Sequence, residues 1–403
     1  MSSPSHTQSS VASTVFAVGL GVGVAAVAGV AVGAMFGASA LSIAAASKQQ
    51  ARPPLTAKDL RRDEEGRILN WRSALRIIQQ GGISPELRGT LWPFLLGVFS
   101  PDSTEQARAR ELARLRGVYA QLLRAARAAV AFGEAHRIIV MDGLRTDLRG
   151  GEDRGVDPGA GLSPRHWDSR AARDALAAMP EGAAHAPRTL RLIRLLSAYS
   201  VHDPETGYCQ GMSDLAAVVV MLVPDEALAF ACFERVMRHA RRNFRHDETG
   251  IKHQLLQLAH ILSDTDPPLY ARLRALDSGD CMFAYRMVVV MLRRELPLPR
   301  VLLVWEAAWA HAAAAGRGDG VPTGSAAAYA GGTSIPPPDF VLQFIAAVVR
   351  GQRRQVMSCC HGTDDVLRLF SGVQIDFWLS LAQAQKQYKA YSQGGRVPRA
   401  GAQ

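Results

Sequence analysis

Lysine is nearly missing from this chain: of its 46 basic residues, only those at 48, 58, 252, 386 and 389 are lysine and the rest are arginine. No G-x-x-x-x-G-K-[ST] stretch occurs, so there is no phosphate cradle of the P-loop kind. The glycines at 19, 21 and 23 lie in an apolar leader, without the strand and helix that a dinucleotide fingerprint requires. No Ser/His/Asp constellation can be argued from spacing. The five cysteines (Cys209, Cys232, Cys281, Cys359, Cys360) contain no C-x-x-C pair, are odd in number and fit no zinc framework. Reduced thiols in a cytosolic setting are the simpler account. Cys359-Cys360-His361 comes nearest to a metal cluster, but adjacent cysteines are poor partners for one ion, so no metal is expected. No basic run is interleaved with aromatics, which argues against nucleic acid as a partner.

Charge is also absent where it would matter for solubility. From Met1 to Ser47 there is no Lys, Arg, Asp or Glu, and residues 11–46 are almost all Ala, Val, Gly, Leu, Phe, Met and Ser. A bilayer core needs about 20 such residues in a helix, and this run is longer. Gly29, Gly33 and Gly37 repeat at the small-xxx-small spacing of packed membrane helices. A secretory signal would have a basic start and a shorter apolar core, and a transit peptide would carry arginines. The first charges are Lys48, Arg52, Lys58, Arg61 and Arg62, which places the remainder on the cytosolic side. Residues 1–47 therefore read as an N-terminal membrane anchor, with a disordered Ala/Gly-rich leader or a cleaved targeting segment as alternatives. A membrane-associated protein facing the cytosol is expected, or a cytoplasmic one if the segment is no anchor.

What is present is apolar content and positive charge. A chain of 403 residues with 48% hydrophobic content can bury a large core, and its net charge of +10 favours acidic partners. Residues 48–69 read as a polar linker with Pro53-Pro54. Asn70 to Gln80 forms an amphipathic helix ended by Gly81-Gly82, and Ser84-Pro85-Glu86 starts another. Glu105 to Glu134 is one long helical stretch. Residues 150–187 and 312–338, rich in Gly, Ala and Pro, read as inserts, the first with a short helix near Ser169–Ala178. Asp280 to Leu296 is expected to be a buried helix, although its Val-rich middle also fits a strand. Further helices are expected over 227–239, 251–262, 340–349, 364–370 and 375–388, and residues 392–403 read as a disordered tail.

The chain is organised around Gly207-Tyr208-Cys209-Gln210-Gly211-Met212-Ser213-Asp214-Leu215. Leu192, Leu195, Leu196 and Tyr199 recur at helical spacing before it, and His202-Asp203-Pro204-Glu205 breaks that helix. A second apolar run, Leu215 to Val223, follows and stops at Pro224. Tyr208 and Gln210 thus sit on a short connection between two buried helices. Either Gln210 caps the second helix and Tyr208 is core, or the amide is held out to act on another molecule.

Two other stretches bear on that choice. Ile139, Asp142, Arg145 and Thr146 give I-x-x-D-x-x-R-T, and Arg88 and Trp92 give R-x-x-x-W. Together with Tyr208-x-Gln210, these resemble the signature set of the TBC-domain family, the GTPase-activating proteins of Rab-type small GTPases. Trp305-Glu306 extends the resemblance, and Cys360 to Leu367 resembles a block of plant and algal members. The resemblance covers residues 70–391 and implies an all-α fold, a single multi-helix TBC domain. It implies that Arg145 is an arginine finger and Gln210 a glutamine finger, supplied in trans to a GTP-bound Rab whose GTP and Mg²⁺ are the partner's own. Asp142, Ile139, Tyr208, Gly211, Arg88 and Trp92 are the implied supporting or GTPase-contacting residues, with Trp92 read as core in preference to ligand-facing and Arg88 also open to a structural role, bonding carbonyls and acids around the site. The interval from Arg145 to Gln210 is longer than in compact family members, which a surface loop accommodates at small entropic cost. The competing readings are a catalytically silent, membrane-tethered Rab-binding scaffold and, more remotely, a basic RNA- or lipid-binding helical protein.

Overall fold

Helix boundaries in the computed structural model follow the apolar spacing closely. The structure describes residues 52–128, 132–146, 148, 188–245, 247–315 and 339–392. The apolar leader, the first insert with its short helix, most of the second insert and the tail beyond Ser392 lie outside these residues. Among the described residues there is no strand, only isolated bridges at Leu55–Ile83 and Arg62–Ile68. Nor is any helix among them long and apolar enough to cross a membrane.

In chain order the helices are α1 (Trp71–Gly81), α2 (Pro85–Leu95), α3 (Glu105–Ala128), α4 (Phe132–Arg145), α5 (Arg188–His202), α6 (Met212–Leu222), α7 (Glu226–Ala240) and α8 (Thr249–Thr265). They continue with α9 (Pro267–Ala275), α10 (Tyr285–Val289), α11 (Leu298–Ala314), α12 (Phe340–Gly351), α13 (Arg353–Cys359), α14 (Thr363–Ser371) and α15 (Phe377–Ser392). Proline at the first turn starts α2, where its missing N–H would be unpaired in any helix. Asp225 caps α7 by accepting from the Leu228 N–H at 2.9 Å. All ten residues from Phe340 to Val349 are buried, nine of them apolar and the tenth Gln343, as befits a helix packed on every side. Helix α12 packs against α8, α11 and α15, while α5 packs against α3, α4, α6 and α7.

Two expectations need correction. Residues 52–69 are no free linker. Leu55 is fully buried; its N–H donates to the Gly82 carbonyl (2.9 Å) and its carbonyl accepts from the Ser84 N–H (3.0 Å). The Asp59 carboxylate accepts from the Thr56 N–H and hydroxyl at 2.8 and 2.7 Å, and Asn70 Nδ2 donates to the Asp59 carbonyl at 2.8 Å. Isolated apolar residues such as Leu55 and Ile68 give no periodic signal, yet each is buried.

The stretch expected as one helix from 105 to 134 is helical as far as it is described, as α3 to Ala128 and α4 from Phe132, with residues 129–131 outside the described ones. Helix α4 then continues through the Asp142–Arg145 motif, so these two residues stand one turn apart on a single helix.

The second correction concerns residues 280–296. A 3-10 turn (Met282–Ala284) and the short α10 are followed by a reversal in which Met291 and Leu292 take left-handed backbone, φ 49° and 64°. Three consecutive valines, 288–290, are stiff at χ1 and weaken a helix there. Left-handed non-glycine residues cost of order 1–3 kcal/mol each. Burial of both side chains offsets this, at about 1.5–3 kcal/mol per large apolar group. Two hydrogen bonds hold the reversal: the Trp305 indole N–H donates to the Met291 carbonyl (2.9 Å) and the Leu292 N–H to the Met287 carbonyl (2.8 Å).

Candidate functional site

The loop between α5 and α6 is held at its base by charge. Asp203 accepts from the Tyr199 hydroxyl at 3.0 Å and lies 3.4 Å from Arg241. Glu205 pairs with Arg241 at 2.9 Å and with Arg245 at 2.7 Å. Further along, the Cys209 thiol donates to the Phe244 carbonyl at 3.1 Å. Gly211 then starts α6 with φ +101°, a conformation that side chains disfavour. A Cβ there would also meet Val290 Cγ1 at 3.3 Å and Phe244 Cε1 at 3.4 Å. Gly211 is thus fitted to the turn and to its packing, and the residue before it, Gln210, is left exposed. Gln210 does not cap α6.

Helix α4 brings the second half of the site. Gly143 lets it approach α5 closely, since a Cβ there would come within 2.8 Å of Ile193 Cγ1. Ile139 is fully buried and Asp142 is 8% exposed, whereas Arg145, in the last turn, is exposed. A cation there complements the partial negative charge of a helix C-terminus. Thr146 ends the helix, its hydroxyl donating to the Asp142 carbonyl at 2.7 Å.

One hydrogen bond joins the halves: Tyr208 Oη donates to Asp142 Oδ2 at 2.8 Å. Burial, reinforced by the Asp142 charge, pushes the Tyr208 phenol well above its ordinary pKa, so it stays a neutral donor. Arg145 follows Asp142 by one helical turn and Gln210 follows Tyr208 by two residues, so the bond ties the segments that carry both. Among the described residues neither Arg145 nor Gln210 has a side-chain hydrogen-bond or ion-pair partner. A guanidinium and a carboxamide, both solvent-facing and unpaired, are suited to anionic oxygens and a water on another molecule.

Arg88 and Trp92, expected as supporting or contact residues, do not converge on this pair. They meet at Glu306, which is fully buried on α11. Its Oε1 accepts from Arg88 Nε at 2.7 Å and from Trp92 Nε1 at 3.1 Å, and its Oε2 accepts from the Ile83 N–H at 2.8 Å. Burial raises the Glu306 carboxyl above its ordinary pKa, while Arg88 and the other donors pull it back. Trp92 packs edge-on against Trp309, ring centroids 4.8 Å apart, and is fully buried. A wholly buried indole cannot touch a partner, so the R-x-x-x-W motif here clamps α2 to α11.

Three features escaped the sequence reading. Ile138 is 43% exposed on α4 and shares a face with Met141 and Arg145. Asp214, in the first turn of α6, is paired with Arg294, 80 residues away, at 2.8 Å. Arg241 and Arg245 hold the base of the loop. The spacing of Ile138 from Arg145 was visible beforehand; the distant pairs carried no local signal. Among the described residues, no group of three His, Cys, Asp or Glu is arranged to hold a metal ion.

Comparison with known proteins agrees with this architecture. Residues 173–315 match the Rab-GTPase-TBC domain model, a span that contains Gln210 and Trp305-Glu306 and begins after Arg145. Rab GTPase-activating protein 22 of Arabidopsis thaliana is 37% identical over 196 residues, 48% of this chain and 35% of the relative. TBC1 domain family member 17 of Mus musculus is 26% identical over 318 residues, 78% of this chain and 43% of the relative. The chain therefore spans between a third and a half of the length of these relatives. The crystal structure of the Ypt/Rab-GAP domain of Gyp1p superposes with a TM-score of 0.59 at 17% identity, covering 82% of this chain and 95% of that one. Residues 173–315 thus match the Rab-GTPase-TBC domain in sequence, and the helical body of the chain is similar in fold to a solved Ypt/Rab-GAP domain.

Proposed function

We propose that the chain is a GTPase-activating protein for a Rab-type small GTPase in its GTP form, with Arg145 as arginine finger and Gln210 as glutamine finger. Hydrolysis in such GTPases is slow because charge building on the phosphoryl oxygens is under-stabilised and the attacking water is poorly held. An arginine supplied in trans addresses the first deficit and is worth about 10³–10⁵ in rate. Its planar fork can contact two oxygens while keeping its charge, which lysine cannot match. A carboxamide addresses the second, donating to the γ-phosphate and accepting from the water. GTP and Mg²⁺ are the partner's. This chain's own residues supply position: Asp142 and Tyr208 fix the segments on which the two fingers stand. The observation that carries the reading is the Tyr208–Asp142 hydrogen bond, which joins the two motifs, beside two exposed and unpartnered finger groups.

In this proposal residues 11–46 hold the domain at a membrane with its body in the cytosol, and the activity serves vesicle traffic. The test is single-turnover GTP hydrolysis by a panel of Rab GTPases with the wild-type chain, Arg145→Lys and Gln210→Ala. Stimulation of one or a few Rabs, cut by orders of magnitude in each variant, is the expected result. Rab binding without turnover would overturn it in favour of a silent scaffold.

A further inference from the structure

Arg294 lies in neither finger motif, yet it is tied to the helix that follows Gln210. Its Nε and Nη2 donate to the same oxygen, Asp214 Oδ2, at 3.1 and 2.8 Å. Asp214 stands in the first turn of α6, and its N–H donates back to the Gly211 carbonyl at 3.1 Å. The hydrogen bond from Asp214 holds the Arg294 guanidinium above its ordinary pKa, with Glu295 and, more weakly, Asp142 acting on it in the same sense.

The segment carrying Arg294 is held from both sides. Arg286 pairs with the almost fully buried Glu295 at 2.7 Å, and the Met291 carbonyl is bonded to the Trp305 indole. The left-handed pair Met291–Leu292 turns the chain back, and Val289 and Val290 lie against Gly211. From this constrained turn Arg294, its side chain 46% exposed, reaches Asp214 with both donors on one acceptor.

We propose that Arg294 is a positioning residue for Gln210, clamping Asp214 at the start of α6 and so fixing the loop that presents the carboxamide. The proposal rests on the GTPase-activating reading above and adds a residue to it.

A double-mutant cycle tests it, using a responsive Rab from the panel and titrating the chain to separate maximal rate from half-saturation. Arg294→Met is expected to lower the maximal rate roughly tenfold and to shift half-saturation by less than about threefold. In that background Gln210→Ala should cost far less than in the wild type, whereas Arg145→Lys should keep its full cost. Asp214→Asn should reproduce the loss and add little to Arg294→Met. Arg294→Lys, which keeps the charge but loses the fork, should restore part of the rate. If Arg294→Met does not fold, Asp214→Asn carries the same cycle with Gln210→Ala. Additive losses would overturn the proposal alone, as would a change confined to half-saturation, which would make Arg294 a docking contact. A wild-type chain that stimulates no Rab would overturn it together with the function on which it rests.

Discussion

Tyr208 and Asp142 are 66 residues apart in sequence and share a hydrogen bond of 2.8 Å between phenol and carboxylate. Tyr208→Phe keeps the ring and removes only the donor, leaving Asp142 buried with one partner fewer. The loss expected is about 1–3 kcal/mol, in the range for a hydrogen bond to a charged group. Stimulated hydrolysis should fall roughly tenfold or more, because the segments bearing Arg145 and Gln210 are no longer joined. Urea unfolding and single-turnover assays on the same preparation check both halves. Full activity with lowered stability would make the bond a fold element only.

Gly211→Ala should act through the backbone. With φ at +101° and a Cβ crowding Val290 and Phe244, the substitution is expected to cost about 1–3 kcal/mol. The strain is relieved most readily by moving the loop, so activity should fall more than stability. A variant with wild-type rate and unchanged melting temperature would show that the loop tolerates a side chain there.

His311 predicts a pH dependence of stability. It lies 5.0 Å from the Phe340 ring and 4.5 Å from that of Tyr388, and burial pushes its imidazole down to about 4. A histidine depressed in the folded state binds its proton first in the unfolded chain. Its contribution is therefore complete above pH 6.5 and is lost as pH falls from there towards 4. The total is on the order of 3 kcal/mol. Glu306, raised by burial, works in the opposite sense over the acid range. His311→Phe should thus flatten the acid side of the stability profile, measured by urea unfolding from pH 7 to 4. An unchanged profile would mean that burial does not depress the His311 imidazole in the fold.

In the proposed reading residues 1–47 bear on where the domain works rather than on its chemistry. Fixing it beside a membrane raises its effective concentration towards a lipid-anchored Rab. Deleting 1–47 should leave solution activity intact and lower activity on liposome-bound Rab. Equal activity on liposomes with and without the segment would remove the anchor from the proposal.

Most of the helical body was legible because its apolar residues repeat at 3.6. Leu192, Leu195, Leu196 and Tyr199 are all buried on α5, and Ile251, Leu255, Leu258 and Leu262 on α8. Helix α13 went unseen because it is short and only Val356 on it is buried. The reversal at Met291–Leu292 could not be read from a valine run, since it depends on a tryptophan 14 residues later. At the site, the placement of Tyr208 and Gln210 on a connection followed from Pro204 and the flanking apolar runs. Glu306 stood in a motif, but its role and that of Arg294 were illegible for one reason: such a charge is placed by a partner far along the chain, and spacing says nothing of it.

Glu306 also bears on how this sequence can change over time. Its two oxygens satisfy donors from Ile83, Arg88 and Trp92, so replacing any one member leaves a polar group stranded in a dry interior. Exchange of positions 88, 92 and 306 together for apolar residues would still strand the Ile83 N–H, so an acceptor is required at 306 whatever stands at the other two. That one acceptor ties a backbone group and two side chains into a unit, although more than two hundred residues separate Arg88 from Glu306.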